Sequence, residues 1–377
     1  MGLDGFLSFI KKKHPEIVYT DDISMLAHST VFFDISSYMY RYICIYGNQS
    51  TKWVNAMCHL LVNLRKNRIN LIPVFDGKPP DEKKDEIDDR KEKRAKLKDK
   101  MTLLQEAVER LTNKEDLDDE TASIFLSTLE TVQEKNNIGK LRLLVKKTTT
   151  STGSKRTIED ITEEDIDDMR RHVQKLKSQM VYIGDKERQV LKDLLDILGI
   201  PYAQAPEEAE AYCCAQIKQG VAKIVISCDT DCFTHGADTV VLSLESNGEI
   251  TYMHTSEILN VLGMTQSQFI DFSFLIGCDY NKKNKLFKVG PVKALELIHK
   301  YGRLEDIEGY DTEKIQHYIE MRKLFLPVYP NMKEIVCTPV DIPALDSFIE
   351  EYNLNIRSDR VEQMFKERVK PKIVFTD

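Results

Sequence analysis

Seven carboxylates close short apolar runs along this 377-residue chain or stand just beyond them. Asp34 ends VFFD and Asp76 ends IPVFD, while Asp229 and Asp231 follow KIVISC. Asp279 lies just past FSFLIGC, and Glu208 and Glu210 open PEEAEAYC. Short apolar runs bounded in this way read as buried strands. Acids at strand ends and helix starts can converge on one edge of a parallel sheet, the edge where open α/β folds place their sites. Crowded carboxylates repel one another unless cations neutralise them. A donor set of oxygens, without His or Cys, favours a hard divalent ion, so the pattern predicts a Mg²⁺ site that Mn²⁺ can also fill. Such a site suits phosphodiester hydrolysis by two metal ions.

The formal net charge of −8 argues at first against a polyanionic partner. Neutralisation of seven acids by metal removes most of that objection, and local basic patches then decide. The length fits two or three domains. Eight cysteines (44, 58, 213, 214, 228, 232, 278, 337) are scattered without a C-x-x-C or a secretory leader. They read as reduced thiols of an intracellular protein and speak against zinc. No apolar run reaches the roughly 18 residues of a membrane span. Gly2 follows Met1, but Phe6 stands where a myristoylation signal needs Ser or Thr.

Organisation follows from periodicity. VFFD and LIPVFD flank Trp53 to Arg68, where Ala56, Leu60, Leu61 and Leu64 share one helical side; this predicts a right-handed β–α–β crossover. After Pro79-Pro80, the charged stretch Asp81 to Lys100 predicts an exposed helix or one that orders on binding. Residues 101–179 carry acidic runs and the polar tract TTTSTGS at 148–154, and read as an insertion with some helix and a mobile loop. Within it, Thr162 with Asp165 predicts a capping box for a helix toward Gln179. Beyond Met180 the pattern predicts a helix over 186–198 stopped by Gly199 and Pro201, then Pro206 in the first turn of the next helix. A strand over 223–227 follows, then a hairpin across Ser246-Asn247-Gly248 and helices over 265–277 and 291–301. The fold class is α/β, a mostly parallel central sheet flanked by helices, with a helical C-terminal part.

Several motifs carry chemistry. In extended backbone Asp229 and Asp231 point the same way and can share a metal. Glu208 and Glu210 lie about 200° apart on a regular helix, so one of them reaches metal only through water. In FDGKPP a glycine with unusual backbone freedom and two prolines aim the charged segment, on which Lys83 and Arg90, seven apart, share a face and can offset phosphate charge. Gly290 and Lys293 of KVGPVKALELI mark a helix start whose N–H groups can hold a phosphate. Tyr40, six residues past Asp34, can stack on a base. Each motif also has an ordinary reading: a solvated D-x-D turn, an acid-rich helix cap, surface charge, a core aromatic.

Taken in order, MGLDGFLSFI, FDISSYMY, VFDGKPP, IPYAQAPEEAEAYC, SCDTDCFTHG, FLIGCDY and VGPVKALELIHKYG resemble the flap endonuclease (XPG-type) 5′ nucleases. The resemblance spans 1–95 and 180–300, and 301–370 more loosely. It implies a PIN-like nuclease core and makes the seven acids ligands of two or more Mg²⁺ ions. It makes Lys83 and Arg90 the basic pair of a gateway helix that engages the scissile phosphate. Tyr40 becomes the stacking aromatic, and Gly2 would lie beside the DNA. Residues 281–301 become a helix-two-turn-helix that grips duplex backbone, often with K⁺, although Lys288 stands at that hairpin's usual first Gly. The implied layout is a nuclease region with gateway helix over 1–100 and an insertion or arch spacer over 101–179. A second nuclease region covers 180–280, and the helix-two-turn-helix with a helical end covers 281–377. Asp76 and Glu208 are 132 residues apart, longer than in most flap endonucleases and much shorter than in XPG-type repair nucleases. The implied activity is structure-specific cleavage of branched or 5′-flap DNA in replication, repair or recombination. Alternatives are a 5′→3′ exonuclease, a junction resolvase or, in another class, a non-cutting branched-DNA binding module. No sliding-clamp motif is found, and a monomer is expected.

Overall fold

Seven strands build the main sheet of the computed structural model: β1 (Tyr19–Asp22), β2 (Thr30–Asp34), β3 (Asn70–Phe75), β4 (Ala203–Gln204), β5 (Ile224–Ile226), β6 (Thr239–Leu244) and β7 (Glu249–His254). Their order is β1-β7-β6-β5-β2-β3-β4. The pairings from β6 through β5, β2 and β3 to β4 are parallel, and those of β7 with β6 and β1 are antiparallel. Val31, Phe32 and Phe33 are consecutive and fully buried, as are Val225 and Ile226. Burial of successive side chains means that both faces are covered, which is why these strands read as apolar runs rather than alternating ones. The expected turn at 246–248 joins β6 to β7, with Gly248 at φ 92°.

The structure describes residues 2–47, 50–143, 161–179, 183–281, 284–330, 332, 335–366 and 372–373. They fall into two compact units, Met1–Ile87 with Ile183–Asp377, and Asp88–Tyr182. The first holds the sheet. Its N-terminal helix Phe6–Lys13 sets Phe6 edge-on against Phe269 at 5.5 Å, which pins the chain start to the helix Gln266–Ile276. That helix has the expected cap, Thr265 paired with Gln268. Its C-terminal part is helical over Pro291–Tyr301, Thr312–Met321, Ile342–Tyr352 and Ser358–Lys366.

The second unit packs Leu104, Ala107, Phe125, Leu129, Met169 and Val173 into its own core. The helix Glu163–Gln179 starts at the predicted box: the Thr162 N–H donates to Asp165 Oδ2 at 2.9 Å, and the Asp165 N–H to Thr162 Oγ1 at 3.3 Å. The tract 148–154 lies outside the described residues. Among the described residues, no helix is long and apolar enough to cross a membrane.

Two expectations are corrected where the chain leaves β3 and β4. Pro206 precedes the helix Ala209–Lys218, whose N-cap is Glu208, and so stands outside its first turn. There its carbonyl accepts from the Lys78 N–H at 3.2 Å, beside a 2.5 Å bond from the Gly77 N–H to the Glu207 carbonyl. A Cβ on Gly77 would lie 2.2 Å from the Ala205 carbonyl oxygen and 2.4 Å from that of Pro206. Gly77 is absent from the glycines with positive φ. Close approach of two backbones, rather than unusual backbone freedom, therefore requires the glycine. Gly77→Ala is expected to cost about 1–3 kcal/mol through this over-packing. The reading is a lower urea midpoint at unchanged slope; an unchanged midpoint would mean that the two segments part freely.

Candidate active site

Four neighbouring parallel strands, β5-β2-β3-β4, deliver six of the seven acids from their carboxyl ends. Asp34 is the last residue of β2 and caps the helix Ile35–Tyr46, accepting from the Ser37 N–H at 3.2 Å. Asp76 follows β3 and accepts from the Ala209 N–H at 3.0 Å. Glu208 and Glu210 follow β4, and Asp229 and Asp231 follow β5. Asp279 comes from the turn behind the helix Gln266–Ile276. In that turn Asn281 accepts from the Cys278 N–H at 2.9 Å and donates to the Phe274 carbonyl at 2.7 Å. Six of the acids are buried and Asp76 is half-buried.

Local geometry revises two arguments about how the acids meet. Asp229 and Asp231 are not on extended backbone: Asp231 opens the short helix Asp231–Thr234, and its N–H donates to Asp229 Oδ1 at 2.9 Å. Glu208 lies ahead of its helix in extended backbone, φ −86° and ψ 138°, so the angular separation expected on a regular helix does not apply.

The electrostatic consequence is severe. Burial, then the neighbouring Asp76 charge, pushes Asp34 up to about 7. Burial and the Glu208 charge hold Glu210 well above the carboxylate range. Burial and Asp279 raise Asp229, and burial with Asp229 and Asp279 raises Asp231 further. Oδ1 of Asp231 is buried with no hydrogen-bond partner. An orphaned carboxylate oxygen among oxygen-only donors fits a hard divalent cation. Among the described residues, no three His, Cys, Asp or Glu side chains already stand as a metal cage.

A lysine brings positive charge among the acids. Lys83 ends the 3₁₀ turn Asp81–Lys83 and is buried, which corrects its reading as part of an exposed helix. Its ammonium bonds Glu208 Oε1 and lies 3.3 Å from Asp279 Oδ2 and 4.0 Å from Glu210 Oε1. Burial alone would lower its pKa, yet Glu210, Glu208 and Asp279 together raise it above the ordinary lysine value. Arg90 lies on the helix Lys84–Thr112, in the second unit, so the two cations do not share one regular helix.

The remaining candidates are dispersed over the first unit. Gly2, at φ 86°, packs so closely that a Cβ would lie 2.3 Å from Asp229 Oδ1, and the Leu3 N–H donates to Thr230 Oγ1 at 2.8 Å. Tyr40 is exposed on the helix Ile35–Tyr46. Gly290 caps the helix Pro291–Tyr301 with open space above its Cα, and Lys293 pairs with Glu296 at 3.0 Å. Lys288 adopts φ 58°, the left-handed backbone that a glycine takes up without strain.

Two hydroxyls that sequence reasoning did not single out complete the site. Ser227 donates to Asp34 Oδ2 at 2.8 Å and accepts from the Asp229 N–H at 3.1 Å, joining the ends of β2 and β5. Tyr280 donates to Glu208 Oε2 at 2.7 Å. Their signal was position alone, one at a strand end and one beside Asp279.

The chain matches the family model described as XPG N-terminal domain over residues 1–97 and that described as XPG I-region over 199–279. All seven acids fall inside these segments. A protein of Invertebrate iridescent virus 3, named a probable RAD2-like endonuclease, is 29% identical over 346 residues, covering 86% of this chain and 85% of that relative. Flap endonuclease 1 of Xiphophorus maculatus is 28% identical over 346 residues, covering 86% of this chain and 75% of the relative. Among solved structures, the catalytic core of Rad2 in complex with DNA substrate superposes with a TM-score of 0.61 at 16% identity, covering 98% of this chain and 100% of that one. Flap endonuclease-1 from Methanococcus jannaschii gives 0.56 at 19% identity, covering 94% and 96%. At these identities the superpositions show a shared fold.

The raised acids predict a pH signature. Between about pH 4 and 7 the folded protein keeps protons that the unfolded chain has released, so stability of the metal-free protein falls as pH rises through that window. Divalent ions bind the deprotonated acids. The rise in melting temperature caused by millimolar Mg²⁺ is therefore expected to be small near about pH 5 and to grow toward about pH 7.5. A shift equally large at both pH values contradicts the assignment.

Proposed function

Since the chain belongs to the XPG-type flap endonuclease family of structure-specific nucleases, we propose that its acidic sheet edge holds two Mg²⁺ ions and hydrolyses DNA phosphodiesters beside a 5′ flap. The observation that carries this reading is the convergence of Asp34, Asp76, Glu208, Glu210, Asp229, Asp231 and Asp279, all inside the matched segments, on one edge. Mg²⁺ bound there supplies Lewis-acid activation of water and neutralises charge on the phosphodiester. Asp231, with its orphaned buried oxygen, and its neighbour Asp229 are the ligands with the strongest geometric support.

The other groups bind and orient. Lys83 and Arg90 donate to the scissile phosphate and offset the charge that develops on it. Tyr40, 42% exposed, stacks on a base. Gly2 lets backbone approach closely at Asp229, where a side chain would collide. The helix start at Gly290, with Lys293 one turn on, holds duplex backbone through N–H groups and charge, and reads no sequence. Lys288 preserves the left-handed turn ahead of that helix, on which a K⁺ site could be built. Selectivity for branched DNA then arises from shape. A module that only bound branched DNA would gain phosphate affinity by losing its acids, and this chain has all seven.

Cleavage of a matched panel of flap, nicked, gapped, blunt and four-way substrates in Mg²⁺ tests the reading and separates flap, exonuclease and resolvase preference. Asp231→Ala is expected to abolish cleavage while DNA affinity stays within a few fold; near-normal turnover by the purified variant would sink the metal assignment. Lys83→Ala and Arg90→Ala are each expected to slow single-turnover cleavage by about 10²–10³-fold with little change in affinity. If both variants cut at the normal rate once saturated with substrate, the pair is electrostatic surface and no more.

A further inference from the structure

The acidic edge must be neutralised even before a divalent ion reaches it, and Lys83 is a cation standing among its buried acids. Its side chain is 10% exposed and serves Glu208, Asp279 and Glu210 at once. Glu208 is the contact made directly, and its second oxygen accepts from the Tyr280 hydroxyl at 2.7 Å. Tyr280 is itself fixed. Phe325 packs edge-on against its ring at 5.2 Å, and the face of that ring lies 5.9 Å from the Lys83 ammonium. One tyrosine thus sets the carboxylate that holds the lysine and offers the lysine an aromatic face.

We infer that Tyr280 is a positioning residue that docks Lys83, through Glu208, as the resident cation of the acidic edge, and that divalent ions enter by displacing this ammonium. The inference rests on the reading of that edge as a divalent-ion site. Coulomb repulsion makes the two occupancies exclusive: an ammonium beside Asp279 and Glu210 opposes a second cation at the same oxygens. Lys83 then has two stations in turn. It neutralises the acids of the empty protein, and it becomes available to a phosphate only when metal has taken over that duty. Loading of metal and release of the lysine are thereby one event.

The test is Mn²⁺ binding to the full chain without DNA, followed by electron paramagnetic resonance, with thermal unfolding alongside. Lys83→Met is expected to bind Mn²⁺ at least about tenfold more tightly than the parent, because the competing charge is gone. Tyr280→Phe keeps the ring and loses the hydroxyl. It is expected to tighten Mn²⁺ binding severalfold when Lys83 is present, and to add nothing in the Lys83→Met background. Without metal, Lys83→Met is expected to melt below the parent, and saturating Mn²⁺ to close most of that gap. Should Lys83→Met prove too unstable to purify, Tyr280→Phe carries the affinity prediction on its own. Unchanged or weaker Mn²⁺ binding by Lys83→Met, with the parent binding normally, overturns displacement and leaves the metal site standing. A Tyr280→Phe effect that persists without Lys83 overturns the positioning role. Failure of both parent and Lys83→Met to bind Mn²⁺ removes the metal site, and the inference with it.

Discussion

Carboxylates held out of water on one sheet edge cannot all remain charged without positive charge beside them. That constraint orders the rest of the first unit. A fold chosen for stability alone would not bury Asp34, Glu208, Glu210, Asp229, Asp231 and Asp279 together. The raised proton affinities of Asp34, Glu210, Asp229 and Asp231 express the strain, and the ammonium of Lys83 relieves part of it. Such local conflicts with the rules of folding mark functional sites, and the surrounding apolar core offsets their cost.

The acids stay in place because the backbone uses them twice. Asp34 caps a helix, Asp76 accepts from the first turn of another, and Asp229 holds the amide of Asp231. Each bond takes one oxygen of a carboxylate and fixes the direction of the other. Ser227 and Tyr280 do the same from the side-chain layer behind. The helix N-terminus at Ile35 adds partial positive charge at the Asp34 carboxylate that caps it. Capping chemistry and ligand geometry are therefore one arrangement.

Much of this architecture was legible because its signals are local. The strands ending at Asp34 and near Asp76, the box at Thr162 and Asp165, and the cap at Thr265 each involve residues within a few positions of one another. The acids could be gathered on one edge from strand ends alone. How they meet could not. Asp229 and Asp231 were paired on an extended-strand argument, whereas a turn and a helix start unite them. Lys83 sits in a run so charged that exposure was the natural expectation, and only carboxylates more than a hundred residues away explain its burial. Ser227 and Tyr280 lie 193 and 72 positions from the acids they hold, so no periodicity could show those bonds.

The weld at Gly77 bears on how such a chain can change over time. Two backbone hydrogen bonds join residues 77–78 directly to 206–207, on the near and far sides of a long excursion in sequence. The chain is thus stapled just outside the acids, and whatever is spliced between Ile87 and Ile183 begins and ends beyond the staple. Closing a longer loop costs only about 0.6 kcal/mol per doubling of its length. The segment beyond Arg90 can therefore lengthen or shorten at little thermodynamic penalty, while the seven acids stay outside it. Residues can thus be gained or lost behind Arg90 while the seven acids keep their places.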